Sequence, residues 1–279
     1  MNRRDALCAC GALSLRAMIG PARIGPATIG QAVIGQGTIG SKMPGSKTPG
    51  TFGSTSQHET ARTPSGSELL PVAVAGVRLP DSKIARLATD LSRSACPPYL
   101  FNHAARTFLF GALVGRALDQ NVDEEILYLA SILHDLGLAD RFQSDLPFEI
   151  QGAETARRFL GEHGYDKERA GIVWDGIAMH ASAIGQFKQP EIALVGAGAG
   201  ADVAGPDLTQ IKKSDVEEIL RAFPRLKFKT AFVKTCADVA RVHPRTASSS
   251  FMRDIRERYV PEFHPSNFCD RLANAPFTE

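Results

Sequence analysis

From residue 71 to residue 279 the sequence predicts an all-α helical bundle, and three observations carry that expectation. Apolar residues recur three and four apart from Asp81 onward, with hardly any alternating runs. Pro97-Pro98, Pro206, Pro224, Pro244 and Pro261 fall between the periodic segments, where helix stops belong. Residues 1–70 lack that pattern altogether, being dominated by Gly, Pro, Ser, Thr and Ala. With 43% apolar residues among 279, the chain can bury one sizeable core.

Within residues 1–70 a five-residue repeat runs through Ile19-Gly20-Pro21-Ala22, Ile24-Gly25-Pro26-Ala27, Ile29-Gly30, Ile34-Gly35 and Ile39-Gly40. Glycine at every fifth place opposes helix and strand alike, and too few large side chains remain to offset the ordering entropy. Disorder is therefore expected, with a solenoid as the alternative. The start, Met1-Asn2-Arg3-Arg4-Asp5-Ala6-Leu7, resembles a twin-arginine export signal, although Arg16 interrupts the apolar run early. A cytoplasmic location is expected, with export as the alternative.

Helices are then expected over Asp81 to Ser94, around Phe101 to Leu118, and over Asp123 to Leu136, where Asp123 caps and Glu124 and Glu125 suit the first turn. Further ones cover Gly152 to Glu162, Lys167 to Met179, Glu191 to Ala204, Lys213 to Ala222, Thr230 to Val242 and Ser249 to Tyr259. Gly196, Gly198 and Gly200 read as sites of close helix packing rather than as a phosphate loop. His163, in a turn at a charged helix end, reads as a solvent-facing cap.

Composition excludes some partners. A net charge of +2 creates no field strong enough to draw nucleic acid or an anionic membrane. No run approaches the roughly 18 apolar residues of a spanning helix. The expected partner is a small-molecule substrate, with a homo-oligomer left open. Cys8, Cys10, Cys96, Cys236 and Cys269 have no paired spacing and read as free thiols.

The chemistry concentrates in Leu129-Ala130-Ser131-Ile132-Leu133-His134-Asp135-Leu136-Gly137, an apolar helix ending in adjacent imidazole and carboxylate. Burying both is costly without a partner, and a divalent cation is an economical one. Consecutive residues reach one ion only where the helix is ending, which Gly137 allows. Upstream, His103 lies in Asn102-His103-Ala104-Ala105-Arg106, near the start of an apolar helix. Downstream, Asp202 ends another, in Gly200-Ala201-Asp202-Val203-Ala204-Gly205.

This H…HD…D order resembles the HD-domain superfamily of all-α metal-dependent enzymes over roughly Leu79 to Glu279. The resemblance implies His103, His134, Asp135 and Asp202 as ligands. Two-metal members carry a further histidine four residues before a Gly-Ala pair that opens the next helix. Here Phe148 stands four before Gly152-Ala153, so one divalent metal is expected, zinc first, with iron or manganese as alternatives. His180 matches the second extra histidine, and with no second metal it is available for substrate contact or proton transfer, or is a helix-end histidine bonded to a carbonyl. Glu149 either favours the helix dipole or orients a metal-bound water.

Phosphate-cleaving members commonly place a lysine after the His-Asp pair and glycine, whereas Leu138 follows Gly137 here. The combined motifs, with the apolar segment Phe268 to Phe277, resemble the branch that includes fungal cyanamide hydratases. Such enzymes add water to a nitrile carbon using one zinc ion. The expected activity is therefore metal-dependent water addition to a small substrate, with His180 and Glu149 as catalytic candidates. The alternatives are a phosphohydrolase, for which Lys188, Arg225, Lys227 and Lys229 are the candidate anion contacts, and a non-catalytic metal-binding regulatory domain.

Overall fold

The computed structural model describes residues 70–205, 208–246, 250–264 and 267–276. The pentapeptide repeat and the arginine-bearing start lie outside the described residues, as does the end of the segment Phe268 to Phe277. The described residues form an all-α domain, with ten α-helices and one small hairpin among them. In order these are β1 (Ala73–Val74), β2 (Val77–Arg78), α1 (Lys83–Ala95), α2 (Pro98–Ala117), α3 (Glu124–Leu133), α4 (Phe148–Glu162) and α5 (Lys167–Met179). They continue as α6 (Pro190–Ala204), α7 (Lys213–Ala222), α8 (Phe228–Val242), α9 (Ser250–Tyr259) and α10 (Phe268–Ala273). Among the described residues no helix is long and apolar enough to cross a membrane.

The helix ends follow local chemistry. Asp123 caps α3 by accepting from the backbone N–H of Glu125 and Ile126, and Asp166 caps α5 by accepting from Arg169. Proline opens α2 and α6, where its missing N–H has no intrahelical partner to lose. Gly205 ends α6 in the left-handed region at φ 77°. His163 caps α4 from an exposed position, its Nδ1 donating to the Phe159 carbonyl at 2.8 Å.

Two expectations need correction. The antiparallel β1–β2 hairpin, Ala73 opposite Arg78, was not foreseen, because two-residue strands are too short to show alternation. Its loop, Ala75-Gly76, has positive φ at both positions, as a tight hairpin turn requires. Helix α4 opens at Phe148 rather than at Gly152. Pro147 precedes it with φ −49° and ψ 135°, a conformation proline favours, so the first turn forms on Phe148 and Glu149.

The principal core is shared mainly by helices α1 to α6 and is built on Phe108 and Phe110 of α2, Tyr128, Leu129 and Leu133 of α3, and Val195 of α6, all essentially inaccessible. A second apolar cluster joins Leu100, Leu138 and Phe148 to Phe228, Phe232, Cys236 and Met252 from α8 and α9. Cys96, Cys236 and Cys269 are free thiols.

Two backbone approaches fix how the elements meet. A Cβ on Gly198 of α6 would lie 2.0 Å from the Thr107 carbonyl oxygen of α2, and one on Gly111 would lie 2.6 Å from the Leu194 carbonyl oxygen. A Cβ on Gly137 would lie 2.0 Å from the Phe148 carbonyl oxygen, and one on Gly152 would lie 3.0 Å from that of His134. Gly137 therefore works as a close-packing residue in the 3₁₀ turn Leu136–Leu138. Gly200, in the same helix as Gly198, faces open space: a Cβ there would meet nothing within 4 Å.

These glycines make a paired prediction. Gly198→Ala should destabilise the domain by about 1–3 kcal/mol, because the added methyl meets backbone that cannot rotate away. Gly200→Ala should be neutral or stabilising by up to about 1 kcal/mol, through helix propensity alone. Urea denaturation of the two variants checks both, and equal effects would contradict the close approach of α2 and α6.

Candidate metal centre

Three helix ends and one helix face supply the site. His103 sits on α2, His134 follows the last residue of α3, Asp135 begins the 3₁₀ turn after it, and His180 follows the end of α5. Helix α3 stops at Leu133 with His134 still in the αR region, while Asp135, at φ −99° and ψ 13°, turns the chain. The consecutive side chains can then face one point.

Three of the four expected ligands meet there. Among the described residues, His103, His134 and Asp135 have donor atoms within 4.8 Å of one another. The Nε2 atoms of His103 and His134 are 3.3 Å apart. Asp135 Oδ2 is 3.2 Å from the second and 3.6 Å from the first. A tetrahedron with metal bonds of about 2.0–2.1 Å has edges of about 3.3–3.4 Å, so the three atoms are spaced as one face of such a polyhedron.

Protonation supports the same reading. His134 Nδ1 lies 2.7 Å from the Ser131 carbonyl oxygen, and His180 Nδ1 lies 2.6 Å from that of Ile177. A carbonyl only accepts, so both Nδ1 atoms carry the proton. His103 Nδ1 donates to Asp202 Oδ2 at 2.7 Å. In the neutral rings all three Nε2 atoms are therefore left with lone pairs. Asp135 Oδ2, buried without a hydrogen-bond partner, faces two of them. Lone pairs and a carboxylate in a space 1–3% exposed repel one another unless positive charge lies between them. A proton satisfies one pair, whereas a divalent cation satisfies all three atoms. The residues present fit a metal.

The electrostatics follow from burial and neighbours. Burial raises the Asp135 carboxyl, but His134, His103 and His180 together hold it below the usual carboxylate range. Burial pushes His134 down, and the adjacent Asp135 outweighs it, leaving the ring above its ordinary value. For His103 burial prevails over the Asp202 bond and the ring is lowered. His180 is lowered to about 4, first by burial and then by the neighbouring His134. Burial raises Glu149, which keeps a bond to Ser250.

The remaining candidates separate. His180 spends Nδ1 on the Ile177 carbonyl, and its Nε2 faces Asp135 Oδ1 at 3.8 Å. Phe148 is buried, its ring edge-on to His180 with centroids 5.6 Å apart. Glu149 is buried beside the centre but is not among the convergent donors. Asp202 stands behind His103, bonded to its far nitrogen, rather than at the convergence point. The candidate anion contacts are engaged in part: Arg225 donates to Asp202 Oδ1 at 2.7 Å, and Lys188 pairs with Asp175 at 3.8 Å.

Two features escaped the sequence reading. Arg106, one turn after His103 and wholly buried, donates Nε and Nη2 to Asp202 at 2.8 Å each. A charged residue inside the apolar run from Leu100 to Val114 was the available signal. Phe228 and Phe232 of α8 lie 4.7 and 5.9 Å from the His103 ring, and Phe251 of α9 packs on both Phe148 and Phe232. Their distance in sequence hid that wall.

An all-α bundle with a buried cluster of two histidines and an aspartate defines a class of candidate metal proteins. Residues 100–204, which run from α2 to the end of α6, match the family described as HD domain. HD domains are typically metal-dependent hydrolases or phosphohydrolases. A curated protein of Clostridium beijerinckii, described as an uncharacterized protein, is 33% identical over 58 residues, or 21% of this chain. The match covers 37% of that relative's length.

Metal titration tests the site. His134→Ala and Asp135→Ala should abolish retention of a divalent ion through gel filtration, and His163→Ala should leave it unchanged. Elemental analysis reads both outcomes, and equal retention in all three would place any bound metal elsewhere.

Proposed function

We propose that this chain is a metal-dependent enzyme that adds water to a small, largely uncharged substrate. The observation that carries the reading is the aromatic wall of Phe148, Phe228, Phe232 and Phe251 around a centre whose nearby guanidinium groups are bonded to Asp202. Such apolar surroundings suit a compact neutral molecule better than a hydrated anion. The finer reading is a cyanamide hydratase-like hydro-lyase using one zinc ion, with Phe148 taking the place of a ligand to a second metal.

A divalent ion held by His103, His134 and Asp135 would lower the pKa of a bound water toward neutrality. The protein's own groups manage the proton. His180 stays unprotonated at neutral pH because burial holds it at about 4, and its Nε2 lone pair faces the centre and can accept a proton from water. Glu149, whose carboxyl burial raises while a bond to Ser250 opposes the shift, is the candidate proton donor to the substrate nitrogen. Adding water to a nitrile forms one carbon–oxygen bond and moves both protons to nitrogen in the product amide, which one acceptor and one donor suffice to relay.

The HD match itself favours a second reading, phosphate-ester hydrolysis. An assay panel on the metal-loaded protein separates the two: urea from cyanamide, amide from small nitriles, and phosphate from nucleotides and phosphomonoesters. Nitrile hydration should appear, vanish in Asp135→Asn, and fall by about 10²–10⁴ in His180→Ala. Phosphate release that vanishes in Asp135→Asn, without nitrile turnover, would establish the phosphohydrolase. A full metal complement with no turnover anywhere would favour a binding domain.

A further inference from the structure

The acceptor capacity of Asp202 is fully used without any metal. Oδ1 accepts from Arg106 Nε at 2.8 Å and Arg225 Nη1 at 2.7 Å, and Oδ2 accepts from His103 Nδ1 at 2.7 Å and Arg106 Nη2 at 2.8 Å. Two carboxylate oxygens offer about four lone-pair sites, and all are taken. The side chain is completely enclosed, as is that of Arg106.

The guanidinium groups are themselves anchored. Arg106 Nη1 donates to the carbonyls of Phe223 and Pro224 at 2.9 and 3.2 Å, and Arg225 Nη1 also reaches the Asp202 carbonyl at 2.8 Å. Both planes lie near the Phe228 ring, at 5.7 and 4.8 Å from its centroid, and that ring packs against His103. Turning Asp202 toward a metal would break the bidentate pair and strand a buried arginine, an unfavourable exchange.

We propose that Asp202 is a positioning residue that fixes the ring of His103 through Nδ1, and that the metal is held by His103, His134 and Asp135 without it. This rests on the metal-centre reading above and departs from the four-ligand set that the H…HD…D order implies. A carboxylate on the far nitrogen sets the tautomer and aims Nε2 at the ion, and it makes the ligand more basic. Three protein ligands then leave a coordination position open for water.

Cobalt(II) titration of the purified full chain, followed by its visible absorption spectrum, tests this. Wild type should bind cobalt. Asp202→Asn should bind the same stoichiometry about 10–100-fold more weakly, with band positions and intensities kept. Asp135→Asn should change the spectrum or abolish it. Loss of binding in Asp202→Asn like that in His134→Ala, a spectrum altered as in Asp135→Asn, or an affinity indistinguishable from wild type would each overturn the proposal. Cobalt-free wild type at saturating metal would instead overturn the metal-centre reading on which it rests.

A wild-type measurement guards against a misfolded variant. In the zinc-loaded protein, nitrogen-edited NMR should show a downfield, slowly exchanging Nδ1–H on His103, identified by its loss in His103→Gln. Absence of that signal would mean that Asp202 has left the ring, and the proposal would fall.

Discussion

Three electron-rich atoms converging on one buried point, with the His180 Nε2 at its edge, are the constraint on which the site depends. The Nε2 atoms of His103, His134 and His180 and the carboxylate of Asp135 gather within the bundle, each imidazole having spent its proton on an acceptor behind it. In water such groups would be separated by solvent. Here the rings are held from behind, by the Ser131 and Ile177 carbonyls and by Asp202, so they cannot turn away. A divalent cation held there would satisfy these groups together.

Backbone proximity makes that convergence possible. Helices α2 and α6 approach until Gly198 rests against the Thr107 carbonyl, which brings the helix face bearing His103 and Arg106 up to Asp202. Gly137 and Gly152 do the same where the turn after α3 meets the start of α4. That second approach sets Phe148 beside His180. The family match ends at residue 204, yet part of the aromatic wall comes from α8 and α9 beyond it. The chemistry and its enclosure thus come from different parts of the chain.

Much of this was legible in the sequence, and the reasons differ by residue. Helix periodicity and the Asp123 cap are local, so all nine anticipated helices are present, α5 and α7 at the anticipated bounds and the others with shifted ends. The His134-Asp135 pair at the end of an apolar run announced itself because burying both demands a partner. His103 followed from the same logic. Asp202 was recognised as needing a counter-charge, but its partners are 96 residues upstream in Arg106 and 23 downstream in Arg225. Only the packing of α2, and of the turn between α7 and α8, against α6 reveals them. The start of α4 was missed because Gly152-Ala153 marks a close contact inside the helix rather than its beginning.

The charge balance around the centre links the arrangement to its chemistry. Were both aspartates to touch the ion, two negative charges would neutralise a divalent cation and leave a bound water comparatively basic. If Asp202 stays paired to Arg106 and Arg225, as proposed, one carboxylate and two neutral imidazoles would remain for the ion. Lower ligand charge makes the ion the stronger Lewis acid, as it does in sites built on neutral imidazoles alone. The residual positive charge would also attract anions, but the phenyl rings offer no hydrogen bonds to replace an anion's hydration. On the proposed reading, a Lewis acid held behind that aromatic wall would favour a polarisable, uncharged substrate.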